Sequence, residues 1–140
     1  MTAIARDHAV SIDEIEDSIY RINTPIDIPG AGGFSFNQYL IVDDAPLLFH
    51  SGPRRLFAGV RDAIARIMPV EHLRYVGFAH FEADECGALN SFLAVAPQGE
   101  PVCSRIAAMV SVNAYAERPA HDGQDALELD PPDGLSLCSR

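Results

Sequence analysis

The chain has 140 residues, 48% of them hydrophobic, enough to form a core in one domain or in a piece of a larger one. Its formal net charge is −10 and its ten basic residues are all scattered arginines, which argues against a basic face for phosphate and against a nucleic-acid partner. No apolar run approaches a membrane span, the N-terminus has no apolar signal core, and the odd trio Cys86, Cys103 and Cys138 lacks paired spacing; the expectation is no membrane partner, a cytoplasmic location and reduced thiols.

Residues 1–18 are polar, with Asp13, Glu14, Glu16 and Asp17 close together, and read as a solvated lead-in. Ile19-Tyr20-Arg21-Ile22 is rich in strand formers, and Pro25, Pro29 and Gly30-Ala31-Gly32-Gly33 then suggest a loop. The glycine run is not a phosphate loop, because no Lys-Ser or Lys-Thr follows and a strand comes next. Phe36–Val42, a turn at Asp43-Asp44-Ala45-Pro46, and Leu47–His50 form an expected β-hairpin. A helix should start near Pro53, with Leu56, Val60, Ala63, Ile64 and Ile67 at helical spacing, and should end at Pro69.

Tyr75-Val76-Gly77-Phe78-Ala79 is short and mostly apolar, as a strand covered on both faces should be. After His80 to Asp84 a second helix is expected, with Asp84 as its cap and Ala88, Leu89, Phe92, Leu93 and Ala96 inward. Pro101-Val102-Cys103 reads as a short strand, and Ser104 can cap a third helix carrying Ile106, Met109 and Val110. Alternating strands and helices imply an α/β layered fold with parallel pairing. Residues 117–140 are acidic and rich in turn formers, and read as an irregular tail.

His80, Glu82 and Asp84 follow the buried strand, where ligands of α/β sheets usually bind. In an extended or looped segment, side chains at i, i+2 and i+4 can share one side, whereas on a helix Glu82 would turn away. One imidazole with two carboxylates is a hard donor set that suits iron or manganese better than structural zinc. The plainer reading is a surface turn whose Asp84 and Glu85 favour a helix N-terminus.

Phe78-Ala79-His80-Phe81-Glu82-Ala83-Asp84-Glu85-Cys86-Gly87-Ala88-Leu89 resembles the metal-binding motif of the metallo-β-lactamase superfamily. It is most similar to the diiron branch, the flavodiiron proteins and their flavodoxin-free, oxygen-binding relatives. Hydrolases of the superfamily carry histidine at the position of Glu82, and usually at that of Glu85; the diiron branch has glutamate at the position of Glu82. The resemblance spans residues 18 to 116, with the hairpin at Asn37-Gln38-Tyr39-Leu40-Ile41 and the helix after Pro53 similar to the N-terminal half of the αββα sandwich.

The resemblance implies a metallo-β-lactamase-like half-domain over 19–116, after the 1–18 lead-in and before the 117–140 tail. It implies His80 and Glu82 as ligands of one iron and Asp84 of the other, with two irons in a complete site, zinc less suited, and no flavin in this chain. Glu85, His50 and His72 match no ligand of the branch, and Cys86 reads as a second-layer thiol or a small core side chain. The branch's later histidine, bridging aspartate and final histidine have no match here; His121 and Asp122 lie in the tail in different surroundings. The expectation is a truncated diiron oxygen-binding protein or oxidoreductase, inactive alone, acting on oxygen or a small molecule and drawing electrons from a separate donor protein. A metal-dependent hydrolase and a non-catalytic remnant or pairing module are the alternatives. A half-sandwich would leave an apolar face uncovered, so homodimerisation is also expected.

Overall fold

The structure, a computed structural model, describes residues 6–7 and 9–121. Among these, seven strands form one mixed sheet: β1 (Arg6–Asp7), β2 (Ser11–Glu16), β3 (Ile19–Ile28), β4 (Gly32–Ile41), β5 (Leu47–Phe49), β6 (Tyr75–Gly77) and β7 (Glu100–Val102). The order is β1-β3-β4-β5-β6-β7, with β2 also paired to β3. Strands from β1 to β5 pair antiparallel; β5, β6 and β7 run parallel.

The β3–β4 hairpin is longer than the sequence suggests. The loop that Pro25 and the glycines imply shrinks to residues 29–31, closed by the Ala31 N–H on the Ile28 carbonyl at 3.0 Å. Period-two burial sustains the strands: Ile22, Thr24 and Ile26 face inward on β3, and Gln38 and Leu40 on β4. Pro25 pairs with Ser35 of β4, between Asn23, opposite Ser11 of β2, and Ile26, opposite Asp7 of β1. A residue without an N–H thus sits where the outer neighbour changes, an edge position that tolerates proline. The polar stretch before Ile19 also contains a strand, β2, which is exposed apart from the half-buried Ile12 and Ser11–Glu16 backbone pairing on β3.

The two parallel crossovers carry α1 (Phe57–Ala65), then α2 (Ala83–Cys86) and α3 (Leu89–Val95). Leu56, Val60, Ala63 and Ile64 are buried, as are Ala88, Leu89, Phe92, Leu93 and Ala96. All but Leu56 join Ile22, Leu40, Leu48 and Val76 of the sheet in one core. Ile67 lies beyond α1 and is 36% exposed; Met68 turns inward instead. The third helical stretch runs through α4 (Arg105–Ala107), a π-helical turn over Ala108–Val112, and α5 (Asn113–Tyr115). Ser104 caps it as its sequence suggests, its Oγ accepting the Ala107 N–H at 3.1 Å. Ile106, Met109 and Val110 on this stretch are exposed.

Residues 117–121 form no helix or strand but are tied down. The Arg118 guanidinium donates to the carbonyls of Leu93, Ala96 and Gly99 where α3 ends. The remainder of the expected tail, 122–140 with Asp122 and Cys138, lies outside the described residues. No described helix is long and apolar enough to cross a membrane.

Phe92 is fully buried, its ring edge-on to Phe57 with centroids 4.8 Å apart. Phe92→Ala should cost about 3–5 kcal/mol in urea unfolding; a loss near zero would show that the α1–α3 core is not the packed centre described here.

Candidate metal centre

The carboxyl ends of β5 and β6 lie side by side, with Phe49 opposite Gly77. Each strand runs out into a loop at this end: His50-Ser51-Gly52-Pro53 after β5, and residues 78–82 after β6. The His50 N–H donates to the Gly77 carbonyl at 2.8 Å, extending the pairing one step into the loops. His50 sits at φ 68° and Gly52 at φ 78°, left-handed backbone that turns the chain sharply out of the sheet. A side chain at Gly52 would be strained by the positive φ and would press on the buried Gln38 amide at 3.0 Å, so the position favours glycine.

The β6 loop makes its own tight turn, with the Glu82 N–H on the His80 carbonyl at 2.9 Å around Phe81. Glu82 is extended (φ −130°, ψ 151°) and forms the N-cap of α2 without a side-chain cap bond. Asp84 is inside the first helical turn, so the expected Asp84 cap is corrected: the cap position is Glu82. This geometry also explains why the three sequence-selected side chains stay apart. The two-residue periodicity that would align them is broken by the turn at Phe81 and again by the helical start at Ala83. His80, Glu82 and Asp84 are all exposed, and no three His, Cys, Asp or Glu side chains among the described residues converge enough to hold a metal ion. The donors suit a hard cation in kind, but as arranged they do not enclose one.

Among the described residues, the close polar partner of His80 is Glu85. Glu85 Oε2 accepts the His80 backbone N–H at 2.5 Å, and Oε1 lies 3.4 Å from the ring Nδ1. The same carboxylate is 3.7 Å from His50 Nε2, a buried nitrogen with no hydrogen-bond partner among the described residues. Glu85 is therefore the residue that joins His80 to His50, one on each strand's loop. Nothing in the spacing reveals this, because it depends on two loops from different strands meeting. Cys86 is 4% exposed in the core, and its thiol is pushed up to about 11, chiefly by burial. Its Sγ–H bonds the Glu82 carbonyl at 3.3 Å, so of its two readings the core side chain is the one that the structure supports. His72 is exposed in a 3-10 turn.

His121 belongs to the other end of the sheet. Its Nδ1 is 2.7 Å from Glu100 Oε2, its ring lies edge-on to Tyr75, and its N–H donates to the Pro101 carbonyl at 2.8 Å. Tyr75 and Glu100 are paired at the amino ends of β6 and β7, whereas His80 follows the carboxyl end of β6. His121 is thus an anchor for the chain after α5, separated from His80 by the length of the parallel strands.

Residues 34–125 match the family model described as ODP family beta lactamase. The chain belongs to that family. The match includes His80, Glu82 and Asp84 and begins inside β4. No curated protein matches the sequence. The Flv1 flavodiiron core of Synechocystis, in a metal-soaked crystal, is 24% identical with a TM-score of 0.73, over 91% of this chain and 35% of that one. A histidine variant of the flavo di-iron protein of Thermotoga maritima is 20% identical with a TM-score of 0.72, over 86% and 33%. Rubredoxin oxygen:oxidoreductase of Desulfovibrio gigas is 21% identical with a TM-score of 0.66, over 79% and 30%. At these identities the likeness is one of fold: the ODP family chain has the α/β architecture of the metallo-β-lactamase class, and it spans about a third of the length of these solved structures.

The anchor at the amino ends has a pH signature. Burial would raise the Glu100 carboxyl, but hydrogen bonds from His121 and Arg74 outweigh it and hold Glu100 below its ordinary 4.5. A depressed carboxylate contributes stability that is present above 4.5 and is lost as pH falls below it through the folded value. The urea midpoint of wild type should exceed that of Glu100→Gln at neutral pH, and the gap should close in acid; a gap independent of pH would show that the pair contributes nothing through its charge.

Proposed function

We infer that this chain contributes one part of a non-haem diiron centre of oxygen-binding or redox type, with His80 and Glu82 as ligands of one iron and Asp84 of the other. The observation that carries this reading is position: an imidazole and two carboxylates occupy the loop beyond the carboxyl end of a central parallel strand, within the ODP family match. Glu82, where the hydrolases of the superfamily have histidine, makes the donor set harder and favours iron over zinc. Likeness to structures named as flavodiiron proteins supports the same choice. Three side chains are too few for two irons, so further donors come from outside the described residues or from another chain.

Metal analysis after expression in iron-supplemented medium tests this directly. Iron should co-purify, with a visible band in air, and His80→Ala, Glu82→Ala and Asp84→Ala should each lower iron affinity about tenfold or more. Zinc alone, together with hydrolysis of a thioester or lactam lost in Asp84→Ala, would replace this reading with a metallo-hydrolase. No metal in wild type at equimolar iron would leave a non-catalytic pairing module.

A further inference from the structure

We propose that two copies of this chain join edge to edge through β4, antiparallel about Ser35, so that the sheet runs on from one copy into the other. Nothing in this contact requires a metal at His80.

β4 is paired unequally on its two sides. β3 runs beside its whole length, from Gly32 opposite Ile28 to Ile41 opposite Ile19. On the other side β5 covers only Tyr39, Leu40 and Ile41. The hairpin register fixes which backbone groups are left over. The Val42 N–H donates to the Ser18 carbonyl at 2.9 Å, and hydrogen-bonded positions alternate along an antiparallel ladder. Leu40, Gln38, Phe36 and Phe34 therefore turn their N–H and carbonyl toward β3, where the Phe36 carbonyl also accepts Thr24 Oγ1–H at 3.2 Å. Gly33, Ser35 and Asn37 turn theirs outward. All three are exposed, and no backbone group among the described residues bonds them on that side.

Other margins of the sheet are defended against a new strand. β2 carries Asp13, Glu14 and Glu16. β7 is short, has Pro101 at its centre, and already accepts the His121 N–H on the Pro101 carbonyl. Charge, proline and short length all discourage edge pairing. The outer edge of β4 has none of these, and no charged residue lies between Asp27 and Asp43. In a chain of net charge −10, this stretch is where a second copy meets the least repulsion.

The outward segment is also its own complement. When Ser35 faces Ser35 of the second copy, Gly33 faces Asn37, and each outward N–H meets an outward carbonyl. Phe34 then lies opposite Phe36 of the other copy, at the closer, non-hydrogen-bonded spacing where cross-strand aromatic pairs interact. Within one copy these rings are already edge-on, with centroids 5.0 Å apart and Phe34 52% exposed. A charged peptide finds no opposite charge on this edge, so the self-match favours a second copy over such a ligand.

Sedimentation velocity of the full chain over a concentration series should show a reversible dimer. Ser35→Pro removes an outward N–H and leaves the bonds to β3 in place, so it should weaken association about tenfold or more. Ser35→Lys and Ser35→Glu each set like charges against each other and should give monomers, while an equal mixture of the two should restore dimers. Wild type supplies a reading that needs no variant: hydrogen exchange at the Ser35 amide should slow as the concentration rises. A chain that stays monomeric into the high micromolar range overturns the proposal, whether Ser35 exchanges fast throughout or is shielded at every concentration by another part of the same chain. So does a dimer that neither Ser35→Pro nor the charge variants disturb, because its contact then lies elsewhere.

Discussion

The Ser51 hydroxyl, wholly shielded from water, joins chain segments 34 and 37 residues apart: it lies 3.2 Å from the Glu85 carbonyl and accepts the Ala88 N–H at 3.1 Å. Its own N–H also donates to the Glu85 carbonyl. The loop leaving β5 is thereby fastened to the segment joining α2 and α3. Gly87 fits under this contact because the backbone nitrogen of Arg54 would be 3.0 Å from any side chain there. Without this fastening the His50 loop and the His80 loop would be two independent surface turns. With it, Glu85 is brought to both histidines, and polar groups that burial would otherwise penalise are hydrogen-bonded instead.

The parts legible in the sequence are those where local pattern and final burial agree. The apolar run at 75–79 and the helical spacing of 88–96 are enough to place His80, Glu82 and Asp84 after a central strand, and that placement is what the structure has. The length of the β3–β4 hairpin is not legible, because Pro25 and four residues with three glycines resemble a loop whichever way the strands end. Ile106, Met109 and Val110 form a helical pattern, but spacing does not say whether the chain itself covers that face, and among the described residues it does not. Glu85 was invisible for a different reason. Its contacts to His80 and His50 arise from a turn at Phe81 and from left-handed backbone at His50, features that no period of 2 or 3.6 encodes.

The two ends of the parallel strands divide the labour. At the amino ends, Arg74, Glu100, His121 and Tyr75 form a network that closes the chain after α5 against the sheet. At the carboxyl ends, beyond the buried Ser51, the side chains of His80, Glu82 and Asp84 are exposed, and Glu85 faces both His50 and His80. Stability and candidate chemistry are thus placed at opposite edges, as is usual in folds with parallel strands, and a change at one end need not disturb the other.

The mixed pairing also has a consequence in time. The β3–β4 and β4–β5 contacts join neighbours in the chain, whereas Phe49 must find Gly77, and Gly77 must find Val102, across whole helical crossovers. Closing long segments is slow compared with zipping a hairpin. The antiparallel half can therefore form first and act as a template on which β6 and β7 dock. The loop that carries His80, Glu82 and Asp84 follows β6, so its place on the sheet depends on the docking of that strand beside β5.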